Sequence, residues 1–397
     1  MNIEWLERLN PFWTEKDFRF EVKDREKYLK QLTSNDKLTK VLVGARRVGK
    51  TFLLYSLINK LLNKRKRVLY LSGEMREVSE YGLRAVIEEI LSHNKWEVTS
   101  EVFVFIDEVQ EIKDWQKVIK FYYDYSKFKF YLTGSSSLVL NSQTEKLTGR
   151  FLTIPVMPLD YSEWLEFIER TPNTNQWSVE EYLVSGGYPE YVLRENDEYL
   201  REVVKSTLYR DLLSYYGIRN PKLLEELMKY LADKVTTQVS TLRIKADLKV
   251  DDKTAAFYLK YLEEVYLIFP LYRLGGSYRR VKAGNPKYYF NDTGVLRMMS
   301  INQKIGYLAE NAVFLKLLGD KNREVFYDNE MGRETDFVDR KGRRVEVKYR
   351  TDIEVDLDEI NGFGVETLVI VPDVEKIKNA DRWENLELIS LGVFLLG

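Results

Sequence analysis

The sequence predicts an α/β fold with a parallel β-sheet, and two segments in its first third indicate this. The segment Gly44–Thr51 fits the pattern G-x-x-x-x-G-K-[ST] and lies between a short apolar strand, Val41–Val43, and a helical stretch, Phe52–Ile58. A second apolar run, Val102–Glu108, ends in two acidic residues. Continuous apolar runs are typical of central parallel strands, because these are buried on both faces.

The loop between the first strand and its helix predicts a nucleotide site. Gly44 and Gly49 permit a tight turn whose backbone N–H groups point at an anion, and the helix N-terminus adds a partial positive charge. Lys50 is then placed to contact the β- and γ-phosphates, and Thr51 to offer its hydroxyl to Mg²⁺. We therefore expect ATP and Mg²⁺ as cofactors. The predicted nucleotide-binding residues are Gly44, Ala45, Arg46, Arg47, Val48, Gly49, Lys50, Thr51 and Phe52.

Length and composition exclude several kinds of chemistry. The chain has 397 residues, which predicts two or three domains. It has no cysteine and one histidine, His93, so disulfides, thiolate chemistry and Ser-His hydrolysis are not expected. The net charge is −1, so contact with nucleic acid would depend on local basic patches. The abundance of Lys, Glu, Tyr and Ile is similar to that of proteins from hyperthermophiles.

The sequence offers no signal for a membrane. The longest apolar runs are as long as a strand and far shorter than a membrane span. The N-terminus, Met1–Trp5, lacks the basic and then apolar form of a signal peptide. We expect a cytoplasmic protein with no membrane partner.

The two acids after the second apolar run predict ATP hydrolysis. The carboxyl ends of parallel strands meet at one edge of the sheet, so Asp107 and Glu108 should emerge beside the phosphate-binding loop. Asp107 can hold Mg²⁺ through water, and Glu108 can polarise the attacking water. A kinase that transfers phosphate to a small molecule fits less well, because no acceptor pocket is evident.

Two further positions have open interpretations. Thr133 or Ser135, at the end of the strand Phe128–Leu132, can sense the γ-phosphate or position water, or can simply form the turn. Arg150, after Thr148 and Gly149, can act as an arginine finger across a subunit boundary, or can have a structural role. The finger interpretation implies a homo-oligomer.

The order of motifs resembles one family. A phosphate-binding loop with paired arginines precedes Ile-Asp-Glu-Val-Gln, Leu-Thr-Gly-Ser-Ser, Leu-Thr-Gly-Arg and Gly186–Glu190. Together these resemble prokaryotic, largely archaeal, AAA-type ATPases with an uncharacterised C-terminal region. The resemblance implies an AAA-like core with Lys50, Thr51, Asp107 and Glu108 at the nucleotide. It also implies a sensor near Thr133 and Ser135, and a finger at Arg150.

The middle of the chain has the pattern of a winged helix. The helical segments 223–231, 241–248 and 252–266 precede two strands, 268–274 and 287–290. Asp251 or Asp252 is expected to cap the third helix. The hairpin carries basic and aromatic residues that can contact DNA or remain solvated. These residues are Tyr272, Arg273, Tyr278, Arg279, Arg280, Lys282, Lys287 and Tyr288.

In the last segment, a helix over 306–318 with Glu310 precedes a hairpin that carries Asp336, Glu346 and Lys348. This arrangement resembles restriction-endonuclease-like nucleases, whose motif is an acid, a strand and then Glu-x-Lys. In such a site Asp336 and Glu346 hold Mg²⁺, Glu310 can complete the metal site, and Lys348 stabilises charge at the phosphate or orients water. Thr335 replaces the proline of the usual motif, and such domains also occur as inactive modules.

The full prediction is an AAA-like P-loop parallel sheet with a helical lid, then a winged helix, then a small α/β nuclease-like domain. Their expected ranges are 1–197, with the lid at about 155–197, then 198–295 and 296–397. The main functional hypothesis is an ATP-hydrolysing enzyme that acts on DNA. The alternative is a nucleotide-driven switch or scaffold whose inactive nuclease-like domain binds protein partners.

Overall fold

The computed structural model describes most of the chain, and its contacts divide it into two compact units, Met1–Met157 and Pro158–Gly397. The described residues are 4–34, 37–134, 149–194, 196–211, 220–275, 285–302, 304–319, 324–329, 334–339, 341–350, 354–362, 364–377 and 382–397. Ser135 and Thr148 of the sensor and finger motifs, and Tyr278, Arg279, Arg280 and Lys282 of the hairpin, lie outside them. Within the described residues, no helix is both long and apolar enough to cross a membrane.

The first unit is built on a five-stranded sheet in the order β2-β3-β4-β1-β5, with every neighbouring pair parallel. Its strands are β1 (Thr39–Val43), β2 (Arg67–Ser72), β3 (Val102–Asp107), β4 (Lys129–Gly134) and β5 (Phe151–Pro155). Every residue of β1 and β3 is buried, as central strands between two helical layers require. The sheet confirms the predicted α/β fold of this part of the chain.

Two helices of the first unit precede β1, and the other described helices of this unit connect successive strands. The helices of the unit are α1 (Glu4–Leu9), α2 (Glu26–Leu32), α3 (Lys50–Asn63), α4 (Arg76–Tyr81), α5 (Leu83–His93) and α6 (Trp115–Tyr125). The most important of them is α3, which begins at Lys50 directly after β1 and the phosphate-binding loop. Its buried face carries Leu53, Leu54, Leu57 and Ile58, and this apolar face holds the helix on the sheet.

The second unit contains most of the helices. They are α7 (Tyr161–Phe167), α8 (Gln176–Ser185), α9 (Pro189–Arg194), α10 (Asp197–Ser206), α11 (Pro221–Asp233), α12 (Thr241–Leu248), α13 (Asp252–Glu264), α14 (Thr293–Met299), α15 (Ile305–Gly319), α16 (Glu354–Asn361) and α17 (Leu391–Leu396). A π-helical turn, Thr207–Asp211, follows α10. The helices α7 to α9, which we expected to form the lid of the ATPase, lie in this unit. The predicted domain borders stay predictions.

Two sheets complete the second unit. The hairpin of β6 (Ile268–Leu271) and β7 (Lys287–Phe290) is antiparallel and follows the helix pair α12 and α13. A five-stranded mixed sheet has the order β12-β11-β10-β9-β8. Its strands are β8 (Val325–Asp328), β9 (Thr335–Asp339), β10 (Arg344–Val347), β11 (Thr367–Val371) and β12 (Leu386–Ser390). These elements agree with the winged-helix and nuclease-like patterns, whose identity stays a prediction.

Asp292 connects the Gly186–Glu190 motif to the start of α14, although these segments are far apart in sequence. Asp292 caps α14 by accepting a hydrogen bond from Val295 N (2.9 Å), and its other oxygen accepts one from Gly187 N (2.6 Å). A Cβ on Gly187 would lie 2.1 Å from the carbonyl oxygen of Leu159. Only glycine therefore fits where the Gly186–Glu190 motif approaches α14 and the start of the unit.

Candidate nucleotide-binding site

The phosphate-binding loop has a backbone that glycine permits. Gly44 and Gly49 have positive φ, at 148° and 94°. A Cβ on Gly44 would lie 2.3 Å from the carbonyl oxygen of Val156, so the loop can approach that segment only without a side chain. The Lys50 ammonium, which is buried, donates to the carbonyls of Gly44 (3.0 Å) and Ala45 (2.9 Å). The loop thus surrounds its own lysine.

The rim of this loop is more open than its centre. Ala45 and Val48 are buried, Arg46 is half-buried, and Arg47 is exposed. Phe52, on the first turn of α3, is 57% exposed although it is a large apolar residue. The described structure therefore leaves Arg47 and Phe52 accessible to a ligand bound at the loop.

Asp107 lies at the centre of a network of hydroxyl groups at the end of β3. Thr51 Oγ1 donates to Asp107 Oδ2 (2.8 Å), and the Tyr70 hydroxyl donates to the same oxygen (3.2 Å). Thr133 Oγ1 donates to Asp107 Oδ1. The structure thus brings Thr51, Asp107 and Thr133 together. Tyr70 was not predicted, because nothing in an apolar strand marks which side chain will face the site.

The electrostatics of Asp107 favour a cation at this position. Burial raises the pKa of its carboxyl group above the usual value, and the neighbouring charge of Glu108 adds to this. Hydrogen bonds from Thr133 and Thr51 and the charge of Lys50 oppose the rise without cancelling it. A buried carboxylate beside the Thr51 hydroxyl offers the oxygen ligands that Mg²⁺ prefers. These residues fit the ion.

Glu108 follows Asp107 in a left-handed conformation, with φ at 49°. Its backbone N–H donates to Thr133 Oγ1 (2.9 Å), and its carboxylate accepts a hydrogen bond from Gln110 Nε2. The Thr133 hydroxyl therefore connects both acids, since it donates to one and accepts from the backbone of the other. Gln110 ends the Ile-Asp-Glu-Val-Gln motif, but the sequence did not indicate this contact.

Arg25 supports the phosphate-binding loop from outside it. Its guanidinium donates to the carbonyls of Val48 and Met157, both at 3.0 Å, and lies 4.6 Å from the centre of the Tyr28 ring. The side chain is buried, with 3% exposed. A buried arginine between two backbone carbonyls fixes the position of both. The sequence gave no signal for it, because its partners are 23 and 132 residues away.

Arg150 does not lie at this site within one chain. It immediately precedes β5, and its carbonyl accepts a hydrogen bond from Thr39 N at the start of β1. The phosphate-binding loop follows the opposite end of β1, which has five residues and thus a length of about 16 Å. The Arg150 side chain forms an ion pair with Asp124 (3.1 Å). A role at a neighbouring subunit's nucleotide stays a prediction.

The predicted nuclease-like residues lie together in the second unit. Glu310, on α15, accepts a hydrogen bond from the Tyr289 hydroxyl (2.7 Å). Asp336, on β9, accepts one from Val347 N (2.9 Å), and Glu346 forms an ion pair with Lys348 (2.7 Å). Burial, and then the charge of Asp336, raise the pKa of Glu310 above its usual range. Asp336 thus interacts with Glu310, and it accepts its hydrogen bond from the residue that follows Glu346. We call Glu310, Asp336 and Glu346 the carboxylate cluster.

A lysine from the neighbouring hairpin adds a positive charge to this cluster. Lys287, on β7, is 1% exposed and forms an ion pair with Glu334 (2.7 Å). Burial lowers the pKa of Lys287, but Glu310, Asp336 and Glu334 outweigh it and raise the pKa above the usual value. Among the described residues, no three carboxylate or histidine side chains are arranged to hold a metal ion. A metal site formed by Glu310, Asp336 and Glu346 stays a prediction.

Comparison with known proteins matches each half of the chain differently. Residues 36–165 match a protein-family profile described as an AAA domain, and residues 176–305 match a domain of unknown function. An uncharacterized protein of Methanocaldococcus jannaschii is 28% identical over 321 residues, which is 75% of this chain and 71% of that protein. An uncharacterized protein of Haemophilus influenzae is 26% identical over 342 residues, which is 81% of this chain and 84% of that protein.

Two solved structures are similar over part of the chain. AMPPCP-bound DnaA from Aquifex aeolicus has 18% identity and a TM-score of 0.33, with 64% of this chain and 92% of that chain covered. Cdc6p from Pyrobaculum aerophilum has 14% identity and a TM-score of 0.28, with 63% and 88% covered. The profile match, together with the parallel sheet, identifies residues 36–165 as an AAA-type P-loop domain.

Proposed function

We propose that the first unit binds ATP with Mg²⁺ and hydrolyses it. The observation that carries this proposal is the contact between the Thr51 hydroxyl and the buried carboxylate of Asp107, 2.8 Å apart, directly beside a phosphate-binding loop. Thr51 and Asp107 belong to different elements and are 56 residues apart in sequence. Their meeting at one edge of a parallel sheet is what a site for a nucleotide-bound metal ion requires.

Each residue has a distinct role in this proposal. Lys50 exchanges its two carbonyl acceptors for the phosphate oxygens of ATP, whose negative charge it then binds. Thr51 and Asp107 hold Mg²⁺, which neutralises charge on the phosphates when it is bound. Glu108 orients and deprotonates the attacking water, and Thr133 fixes the backbone of Glu108 relative to Asp107.

Replacement of Lys50 tests the proposal. We expect Lys50→Ala to lose ATP binding and hydrolysis, because the buried Lys50 ammonium at the Gly44 and Ala45 carbonyls is the positive charge that binds the phosphates in this proposal. The matched control is Lys60→Ala, on the same helix, whose ammonium pairs with Asp24 and Glu26. ATP binding by calorimetry and phosphate release are measured for both. Unchanged hydrolysis in Lys50→Ala, or equal losses in both variants, would contradict the assignment.

For the second unit we propose contact with DNA through α12 and α13, controlled by the nucleotide. Lys253, Phe257 and Lys260 are exposed on α13, and Leu242 is exposed on α12. Cations beside exposed apolar groups suit a nucleic acid backbone and its bases. Lys253→Ala/Lys260→Ala should weaken the binding of a fluorescent duplex and reduce the dependence of binding on salt. If the double variant binds DNA with the affinity and the salt dependence of the wild type, this surface does not contact DNA.

The carboxylate cluster favours a second candidate function, a nucleotide-driven switch that does not cut DNA. Two of its acids already have partners, since Tyr289 donates to Glu310 and Lys348 pairs with Glu346, and Lys287 pairs with the nearby Glu334. Incubation of linear, branched and supercoiled DNA with Mg²⁺ or Mn²⁺ distinguishes the two functions. Cleavage that Asp336→Ala abolishes supports the nuclease, and intact DNA together with an ATP-dependent change in oligomeric state supports the switch.

A further inference from the structure

The strand β7 brings two polar side chains to the carboxylate cluster. Lys287 and Tyr289 are two residues apart and therefore project from the same face of the strand. Lys287 forms an ion pair with Glu334 at 2.7 Å, and the Tyr289 hydroxyl donates to Glu310 at 2.7 Å. Tyr289 also stacks on Phe314, with ring centres 4.4 Å apart. One strand of the hairpin thus covers the cluster with a cation and a hydrogen-bond donor.

The burial of Lys287 shows how closely it is held. Lysine is almost never fully buried without a partner, and this side chain is 1% exposed. Its ammonium also lies 5.4 Å from the centre of the Tyr327 ring. Glu334 is itself held in place, since its other oxygen accepts a hydrogen bond from Gln238 (3.1 Å). Gln238 in turn forms a backbone bridge with Lys287.

One oxygen of each acid of the cluster is engaged by a donor from the chain. Glu310 Oε1 accepts from Tyr289, Asp336 Oδ2 accepts from Val347 N, and Glu346 Oε2 pairs with Lys348. A divalent ion added beside the buried ammonium of Lys287 would meet like charge in a region of low dielectric constant. Within the described residues no arrangement of three acids suits such an ion.

We propose that Lys287 is the resident cation of this cluster and keeps divalent metal ions out of it. The nuclease-like acids then form buried ionic contacts that connect the hairpin of β6 and β7 to the mixed sheet. The inference is independent of ATP hydrolysis in the first unit, so it can fail without affecting the proposal for Lys50 and Asp107.

Binding of Mn²⁺ alone to the full chain tests this proposal. Mn²⁺ is titrated by electron paramagnetic resonance, without nucleotide, into the wild type, Asp336→Asn, Lys287→Met and Lys287→Met/Asp336→Asn. We expect the wild type and Asp336→Asn to bind Mn²⁺ with the same affinity. Lys287→Met should gain one site at least tenfold tighter, which the double variant loses again. The matched control is Lys316→Met, whose ammonium donates to the Leu395 carbonyl outside the cluster.

Two results would overturn the proposal. One is a Mn²⁺ site in the wild type that Asp336→Asn removes. The other is a folded Lys287→Met that binds no more Mn²⁺ than the wild type does. If Lys287→Met does not fold, Lys287→Met/Glu310→Gln replaces it, because removal of an opposite charge should restore much of the stability. A double variant that is no more stable than Lys287→Met would show that the two charges do not compensate each other, and would contradict the proposal.

Discussion

Asp292 is a buried carboxylate whose replacement by asparagine has a calculable effect on stability. Both of its oxygens accept backbone hydrogen bonds, from Val295 N and Gly187 N. These bonds favour the charged form, yet burial outweighs them and raises the pKa of Asp292 to about 6. Asp292→Asn removes the ionisable group while keeping the size of the side chain.

The sign and size of the effect follow from this shift. In the unfolded chain the carboxyl has its ordinary pKa of 3.8, so the folded state binds more protons between pH 3.8 and about 6. A raised pKa stabilises the folded chain at low pH, and this contribution is lost as pH rises through about 6. Two pKa units correspond to ~3 kcal/mol. Part of this change is complete at pH 4, so the stability of the wild type, relative to Asp292→Asn, should fall by ~2 kcal/mol between pH 4 and pH 7.

Guanidinium unfolding of both proteins at these two pH values measures the difference. Comparison of wild type with variant cancels the groups that titrate elsewhere. The control is Asp251→Asn, another helix cap, whose pKa is lowered by hydrogen bonds from Thr254 and which is exposed. The contribution of the Asp251 carboxylate to stability is lost only at lower pH. The stability difference between Asp251→Asn and the wild type should therefore stay nearly constant between pH 4 and pH 7. An equal pH dependence of wild type and Asp292→Asn would refute the reasoning.

Two further predictions concern contacts that fix the backbone. Arg25→Met should weaken ATP binding about tenfold or more, because two buried carbonyls lose a charged donor. Calorimetry of ATP binding measures this effect, with Arg25→Lys as a partial rescue and the exposed Arg19→Met as the control. Equal ATP affinities of Arg25→Met and the wild type would exclude a positioning role for Arg25. Gly187→Ala should destabilise the second unit by about 1–3 kcal/mol, because its Cβ would overlap the Leu159 carbonyl. Gly319→Ala, whose added Cβ would have no atom within 4 Å, is the control in urea unfolding. Equal unfolding midpoints of Gly187→Ala and the wild type would contradict the close approach of Gly187 to the Leu159 carbonyl.

Local signals in the sequence predicted the elements that depend on local interactions. The glycines of the phosphate-binding loop, the apolar β3 and the cap of α13 are examples. Of the two candidate caps, Asp251 accepts the hydrogen bonds of Lys253 N and Thr254 N, so the first alternative was correct. Such features involve neighbouring residues, and their physical chemistry is visible in a short segment.

Contacts between distant segments were not visible in the same way. Lys287 was expected either to contact DNA or to remain solvated, but the structure buries it against Glu334. Arg25 gave no signal, although it joins the phosphate-binding loop to Met157. Arg150 lies by Asp124 and not at the nucleotide site of its own chain. In each case the tertiary partner determines the role, and the sequence pattern does not identify that partner.

The most direct test of ATP hydrolysis by this chain is the replacement of Glu108 by glutamine. The variant keeps the shape of the side chain and leaves Lys50, Thr51 and Asp107 unchanged, but it removes the carboxylate that activates water. ATP binding and phosphate release are measured on the same preparation of wild type and Glu108→Gln. We predict that Glu108→Gln binds ATP as the wild type does and that its turnover falls by about 100-fold or more. Hydrolysis at the rate of the wild type would contradict the role of Glu108 as the base.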